Sequence, residues 1–323
     1  MSGGSQVASL QSPNSVSALP DPLVGPLRDV RYLARLIAEV SSAPLTDVER
    51  RLASERRQPG ISVRQAAESA GLPPNVWCEG LVEFYRRTDA FLYETAVWNS
   101  HPLKGQLRRW IAERLARWQP APLRLLAYGD GLGFDSLYFR QAGHRVSYLE
   151  ISQLCRRFAR RIFRDQGADV EILESSEAVE AGAYDVVTCL DVLEHVPDPV
   201  EMVTQMVAAL RPGGLLITSA PFWLLGPNFP THLASNRRFS GDLKRLYGPH
   251  RLRLIDGRLM WDPLVLERPG GRPAPVTWAT RLRIQAGSLV LKLAGWCPWP
   301  FVAATNYALR RRPADAASRT TVS

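Results

Sequence analysis

The string Gly129-Asp130-Gly131-Leu132-Gly133-Phe134-Asp135 follows a short apolar run and opens into SLYFRQAG, a helical stretch. Glycines so placed let a backbone turn sharply from strand to helix and approach a ligand closely. The spacing is GxGxG. A nicotinamide-dinucleotide fingerprint would need Gly or Ala at 134, where this chain has Phe134. Asp130 and Asp135 would also repel a pyrophosphate over the helix N-terminus, so the loop suits a cationic ligand better. The next apolar run ends in Glu150, where a carboxylate can accept hydrogen bonds from both hydroxyls of a ribose. Either feature alone is compatible with a solvated strand end. Together, in a βαβ setting, they point to a bound nucleoside.

Further along stands Tyr184-Asp185-Val186-Val187-Thr188-Cys189-Leu190-Asp191-Val192-Leu193-Glu194-His195-Val196-Pro197-Asp198-Pro199, then a helix and Leu210-Arg211-Pro212-Gly213-Gly214. With GDGLG and Glu150, this set resembles the class I S-adenosylmethionine-dependent methyltransferases, in particular the branch of ubiquinone and menaquinone biosynthesis and natural-product enzymes. The resemblance covers residues 121–268. It implies an α/β fold: a Rossmann-like, doubly wound, mostly parallel seven-stranded sheet with an antiparallel edge strand. It also implies S-adenosyl-L-methionine as cofactor and in-line methyl transfer to a small-molecule or lipid-like acceptor.

By the same resemblance Gly129, Asp130, Gly131 and Gly133 would hold the methionine part and Glu150 the ribose. Glu174, Ser175 and Ser176 would lie near the adenine, and Leu190 and Asp191 beside the sulfonium. The chain departs from the pattern at Ala127, where an acidic residue is common, which leaves Asp130 to meet the methionine ammonium. It also lacks a clear match for the acidic residue beside the adenine amino group. Asp130, Glu150, Asp191 and Glu194 would place negative charge at the strand ends, where open α/β sheets bind ligands and where a sulfonium and an ammonium gain from it.

Such a transfer depends chiefly on alignment, and a base is needed only if the acceptor must lose a proton. His195 is the first candidate, since an imidazole titrates near neutrality. His232, in PTHLASNRRFS, is the second, and Asp191 completes the catalytic set. The alternative for His195 is a structural role at the following turn. Asp191, Glu194, His195 and His232 also form a mixed O/N set open to a divalent metal, although none is assigned. Just before the core, FYRRTDAFLYETAVWNSHPLK carries Tyr85, Tyr93, Glu94, Trp98 and His101. Tyr93, Glu94 and Trp98 are expected to contact the acceptor, with plain helix packing the alternative for most of these aromatics.

These residues need a scaffold, and the patterning supplies one. The runs LRLLAY (123–128), RVSYLE (145–150), DVEIL (169–173), YDVVTCL (184–190) and GLLITSA (214–220) lack in/out alternation and are separated by helix-length connections. They predict a parallel sheet covered on both faces. RLRLID (251–256) and PLVLE (263–267) read as an antiparallel pair closing it. Residues 25–120 show apolar spacing of three and four, broken at Pro59-Gly60 and Gly71 to Pro74, and predict a helical region, which the family resemblance implies is a lid over the cofactor. Residues 1–24 are Ser-, Gly- and Pro-rich and are expected to be disordered. Residues 269–323 form a C-terminal extension with a frayed tail. Its Trp278, Trp296, Trp299 and Phe301, with Arg281, Arg283 and Arg310 to Arg312, suit peripheral contact with an anionic membrane. Packing over the core or at a dimer interface is the alternative.

The whole chain has 323 residues, 46% hydrophobic and 22% charged, which excludes fibrous and wholly disordered classes. It has no uncharged apolar run long enough to span a membrane, and its first residues lack the basic and apolar regions of a secretory signal. Cys78, Cys155, Cys189 and Cys297 are far apart, so the reducing cytoplasm is the expected compartment. The net charge of +9 comes from 37 arginines and three lysines scattered along the chain. A GC-rich coding sequence produces such a bias as readily as a polyanionic partner does. ISVRQAAESAGLPPNVW (61–77) has only a faint helix-turn-helix look, so a nucleic-acid partner is not expected. Two competing functions are a nicotinamide oxidoreductase, disfavoured by Phe134, and a non-catalytic methyltransferase-fold binding or scaffold protein.

Overall fold

The structure is a computed structural model that describes residues 19–257, 263–270 and 276–310. Seven strands form one sheet in the order β3-β2-β1-β4-β5-β7-β6. They are β1 (Arg124–Tyr128), β2 (Arg145–Leu149), β3 (Val170–Leu173), β4 (Tyr184–Leu190), β5 (Leu210–Ser219), β6 (Arg253–Gly257) and β7 (Leu264–Glu267). The first five run parallel, and β7 pairs antiparallel with both β5 and β6. The antiparallel strand therefore stands one place in from the edge, with β6 outside it.

The continuous apolar runs follow from burial on both faces. In β1, Leu125 and Ala127 join one core cluster and Leu126 the other; in β4, Val186 and Val187 divide in the same way. A strand without a solvent face has no place for alternating polar residues. The first side is covered by α8 (Phe134–Gln141) and α9 (Gln153–Asp165), whose stripe Leu154, Phe158, Ala159, Ile162 and Phe163 enters the core. On the second side lie α10 (Pro199–Ala209) and α11 (Leu243–Tyr247), with Val203, Met206, Leu246 and Tyr247 inward.

Before the sheet come α1 (Gly25–Arg28), α2 (Val30–Ser41), α3 (Leu45–Arg57), α4 (Ile61–Ser69), α5 (Gly80–Arg87), α6 (Ala90–Asn99) and α7 (Pro102–Trp118). Two of the six breaks, α3–α4 and α4–α5, fall at the expected Pro59-Gly60 and Gly71 to Pro74. Gly60 has φ +84°, and a Cβ there would stand 2.0 Å from the Asn228 carbonyl oxygen, so the α3–α4 turn sits directly on the loop after β5. Asn75 fastens the same loop: its Nδ2 donates to the carbonyls of Phe229 at 2.7 Å and His232 at 2.8 Å. Within the stretch with a helix-turn-helix look, Asn75 thus ties the N-terminal helices to this loop.

One expectation is corrected. Of the segment expected to be disordered, residues 1–18 lie outside the described residues, but 19–24 are packed: Val24 is buried, and Leu19 and Leu23 lie on the core. Apolar residues at 19, 23 and 24 explain why. At the other end, α12 (Trp278–Trp296) and α13 (Trp299–Arg310) form a helix pair. Residues 311–323, with Arg311, Arg312 and the expected frayed tail, lie outside the described residues. No described helix is long and apolar enough to cross a membrane.

Candidate active site

At the tip of β1 the chain turns through Gly129 (φ +73°), Gly131 (φ +56°) and Gly133 (φ +78°). Side chains rarely adopt this left-handed backbone, and space forbids them as well. A Cβ on Gly129 would stand 2.6 Å from Val192 Cγ2, and one on Gly133 2.7 Å from Phe163 Cζ. Gly133 therefore serves the packing of α8 on α9. Asp130 turns its carboxylate onto the first turn of α8, accepting from Asp135 N at 3.1 Å and Ser136 N at 2.7 Å. Burial, with Asp135 close by, pushes its pKa up to about 7.

Glu150 stands at the end of β2. Its Oε2 accepts from Gly131 N at 2.9 Å and its Oε1 from Ser152 N at 2.8 Å. Burial raises its pKa, and these backbone donors oppose the rise. Each oxygen keeps a further lone pair, so the carboxylate can fix the loop and still accept from a ligand.

At the tip of β4, Asp191 adopts φ +62°, a strained conformation for a residue with a side chain and one that gathers at functional sites. Its Oδ2 accepts from Trp98 Nε1 at 3.0 Å and faces Lys104 Nζ at 3.5 Å, and its Oδ1 accepts from Ser219 Oγ at 3.2 Å. Lys104 also pairs with Asp135 at 3.2 Å, and Arg108 Nε donates to Asp135 at 2.6 Å. Burial disfavours the Lys104 charge, yet Asp135 and Asp191 outweigh it and raise its pKa. This pair-of-pairs locks α7 against the first turn of α8 and the β4 tip.

Past Asp191, Glu194 is 1% exposed and neither carboxylate oxygen has a hydrogen-bond partner. Burial, with Asp191 nearby, raises its pKa well above the usual carboxylate range. His195 Nδ1 lies 2.9 Å from Tyr85 Oη and 3.2 Å from the Thr231 carbonyl. A carbonyl only accepts, so its bond requires the proton on Nδ1 and leaves Nε2 with the lone pair, 3.9 Å from Glu194 Oε1. Burial lowers the His195 pKa to about 4, so the ring is neutral at pH 7. His232 meets His195 edge-to-face at 4.6 Å between ring centroids. Its Nδ1 is unpartnered, and burial, then His195, lowers its pKa well below normal.

A cavity of about 660 Å³ joins these groups. Of the residues singled out from sequence, Gly129, Asp130, Gly131, Glu150, Glu174, Ser175, Ser176, Leu190, Asp191, His195, His232, Glu94 and Trp98 line it. Two do not. Gly133 packs on Phe163, and Tyr93 is buried among the N-terminal helices with the Arg51 guanidinium 3.7 Å from its ring centroid. The expected contact of Tyr93 with the acceptor is therefore corrected. Its neighbour on α6, Glu94, faces the cavity instead; burial and then Glu55 push the Glu94 pKa up to about 8. Glu174 is tied at the rim to Arg156 and Arg160. Sequence reading misses Lys104, Thr95 against Gly131, and the apolar Leu224, Phe229 and Leu309. Lys104 carries a signal: it is one of three lysines in an arginine-rich chain.

Residues 100–245 match the family model described as methyltransferase domain. That match takes in less than half of the chain, the part that holds the glycine loop, Glu150, Asp191 and His195. The domain is similar to ubiquinone biosynthesis O-methyltransferases. It is 34% identical over 108 residues to that of Xanthomonas axonopodis pv. citri (strain 306), covering 32% of this chain and 45% of the relative. It is 33% identical over 123 residues to that of Bordetella avium (strain 197N), covering 37% and 50%. The chain thus spans about half the length of these curated relatives. Among solved structures, Burkholderia thailandensis 1,6-didemethyltoxoflavin-N1-methyltransferase, with bound 1,6-didemethyltoxoflavin and S-adenosylhomocysteine, matches 50% of this chain and 78% of its own at 17% identity and TM-score 0.40.

Proposed function

We propose that this protein transfers the methyl group of S-adenosyl-L-methionine to a small apolar acceptor. The observation that carries the reading is one shared chamber: the left-handed Gly129–Gly131 turn, Glu150, Asp191 and His195 all open into the same cavity. The cavity walls suit the cofactor. Glu150 retains acceptor capacity for two ribose hydroxyls, and at the β4 end Asp191 stands beside Glu194, whose buried carboxyl gives up its proton once a cationic ligand offsets the burial. Asp130 shapes the loop by capping α8, and Glu174, Ser175 and Ser176 form the wall assigned to the adenine. S-adenosylmethionine supplies a methyl group already bonded to a sulfonium.

The chain's own residues do the rest. Tyr85, Phe91, Trp98, Leu224 and Phe229 enclose the space around His195. They exclude water and hold an apolar or aromatic acceptor, and alignment of this kind supplies several kcal/mol, on the order of 7–11 at best. Tyr85 and the Thr231 carbonyl orient the imidazole, and Nε2 takes the proton of an acceptor hydroxyl or amine. The peripheral membrane contact expected of the C-terminal Trp/Arg segment belongs to the same reading, because an apolar acceptor partitions into bilayers.

One observation supports a second route to acceptor activation. Glu194, His195 and His232 offer donor atoms that all lie within 4.8 Å of one another, a carboxylate–imidazole set suited to a divalent cation. Such an ion would occupy the nitrogen assigned here as base. Turnover that persists in excess chelator supports proton transfer by His195; turnover that vanishes and returns with added metal replaces it. The primary test is calorimetric titration with S-adenosylmethionine and S-adenosylhomocysteine, with NADH as control. Micromolar binding of both adenosyl ligands and none of NADH is expected. Failure of both to bind leaves the non-catalytic scaffold as the better reading.

A further inference from the structure

The α12–α13 pair is built inside out. Toward the protein α12 presents Gly287, Ala294 and Gly295, all buried, and Ser288 Oγ donates to the Gly241 carbonyl at 2.5 Å. A Cβ on Gly295 would stand 2.7 Å from Ser240 Cβ, so small residues are required there. The large apolar side chains face outward: Trp278, Leu282, Leu289, Leu293 and Trp296, with Trp278, Trp296 and Trp299 exposed by 75%, 84% and 78%. At 3.6 residues per turn the five positions on α12 fall within a stripe about 60° wide. Seven of the twelve exposed large apolar residues among the described residues lie on these two helices.

We propose that this face rests on the surface of a bilayer containing anionic phospholipid. From Trp278 to Arg310 the sequence contains no Asp or Glu, but it has Arg281, Arg283, Lys292 and Arg310. Arg283 is bound to Asp256, while Arg281 and Lys292 project beside the apolar stripe. A wet-faced cationic margin along an apolar stripe with tryptophans at its ends matches a helix lying in the membrane interface. The chain's net charge of +9 adds long-range attraction to an anionic surface. A second copy of the chain would instead bring like charges together. No described helix is long and apolar enough to cross a membrane, so the pair lies on the bilayer.

The placement also concerns the cavity. Leu309 on α13 lines it, and α13 packs through Phe301, Val302 and Leu309 on Trp223, Leu224 and Phe229 of the post-β5 loop. The helix pair and the apolar wall of the cavity are therefore continuous. Resting on the proposed methyl-transfer reading, this makes the acceptor an apolar molecule drawn from the lipid phase.

The test is co-sedimentation of the full chain with phosphatidylcholine vesicles, with and without phosphatidylglycerol. Binding that needs phosphatidylglycerol and weakens with salt is expected. W278A/W296A/W299A and, separately, L289E should weaken it about tenfold or more while S-adenosylhomocysteine affinity and the melting temperature stay at wild-type values. No vesicle binding, or undiminished binding by both variants, overturns the proposal. So does a wild-type dimer in sedimentation velocity that L289E dissociates without any vesicle binding. Vesicle binding without S-adenosylhomocysteine binding would leave this proposal standing and remove the methyltransferase reading.

Discussion

The two ends of the cavity are built on opposite terms. Around the glycine loop every carboxylate is already matched: Glu150 by two backbone N–H groups, Asp130 by two more, Asp135 by Lys104 and Arg108. Around the β4 exit the polar groups are left wanting, with both Glu194 oxygens and His232 Nδ1 unpartnered. Buried polar atoms without partners cost about 1–3 kcal/mol each, and a fold retains them chiefly where a ligand completes them. The first end is a finished mould for a ligand of fixed shape. The second is chemically unfinished until something enters, which is what a reaction site needs.

If that contrast is right, substitutions at the two ends separate binding from turnover. The largest effect is expected at the unfinished end. His195→Ala should lower the maximal rate by about 10²–10³-fold, in the range of a lost general base, with S-adenosylhomocysteine affinity unchanged in calorimetry. Because burial lowers the His195 pKa to about 4, the base form persists through neutral pH. The wild-type rate should fall on the acid side only as pH approaches that value, well below where an ordinary imidazole titrates. At the finished end, Glu150→Ala should weaken S-adenosylhomocysteine about 100-fold, equivalent to losing one or two hydrogen bonds to a charged acceptor. Equal losses of binding from both substitutions would erase the distinction between the ends.

The finished end is also the more legible in sequence. A glycine spacing and an acidic strand end are local signals, so Gly129, Gly131 and Glu150 can be placed from the sequence. The sheet follows for the same reason: a run such as YDVVTCL lacks alternation because Val186 and Val187 enter different cores. What stays hidden depends on contacts between distant segments. Tyr93 and Glu94 are adjacent, and only the packing of α6 decides that Glu94 faces the cavity and Tyr93 faces Arg51. Lys104 finds Asp191 across 87 positions, and Gly133, expected as a ligand contact, answers to Phe163 on the next helix. The strand order at the edge likewise rests on β7 slipping between β5 and β6.

Gly133→Ala tests whether that glycine serves packing or the ligand. A Cβ would meet Phe163 Cζ at 2.7 Å and Ala159 Cβ at 2.9 Å, at φ +78°. Overpacking and a left-handed alanine together should destabilise the protein by about 1–3 kcal/mol, seen as a lower melting temperature. Adenosyl-ligand affinity measured below the transition should change little. A selective loss of affinity with no loss of stability would return Gly133 to the ligand.

The smallest expected effect is also the most specific to the unfinished end. Glu194 is buried without partners, and its folded pKa lies above its unfolded value. A group raised in this way stabilises the fold fully below the unfolded pKa, near 4, and loses that contribution as pH climbs toward the folded pKa. Glu194→Gln removes the titration while keeping the shape. The variant should match wild type near pH 4 and melt a few degrees higher at pH 8. A cationic ligand should reverse the burial penalty and draw the proton off. Calorimetric enthalpies for S-adenosylmethionine should then differ between buffers of different ionisation enthalpy in wild type, and agree in the variant. Buffer-independent enthalpies in both, with identical melting at pH 8, would mean that Glu194 is already ionised and partnered, and that the two ends of the cavity are alike.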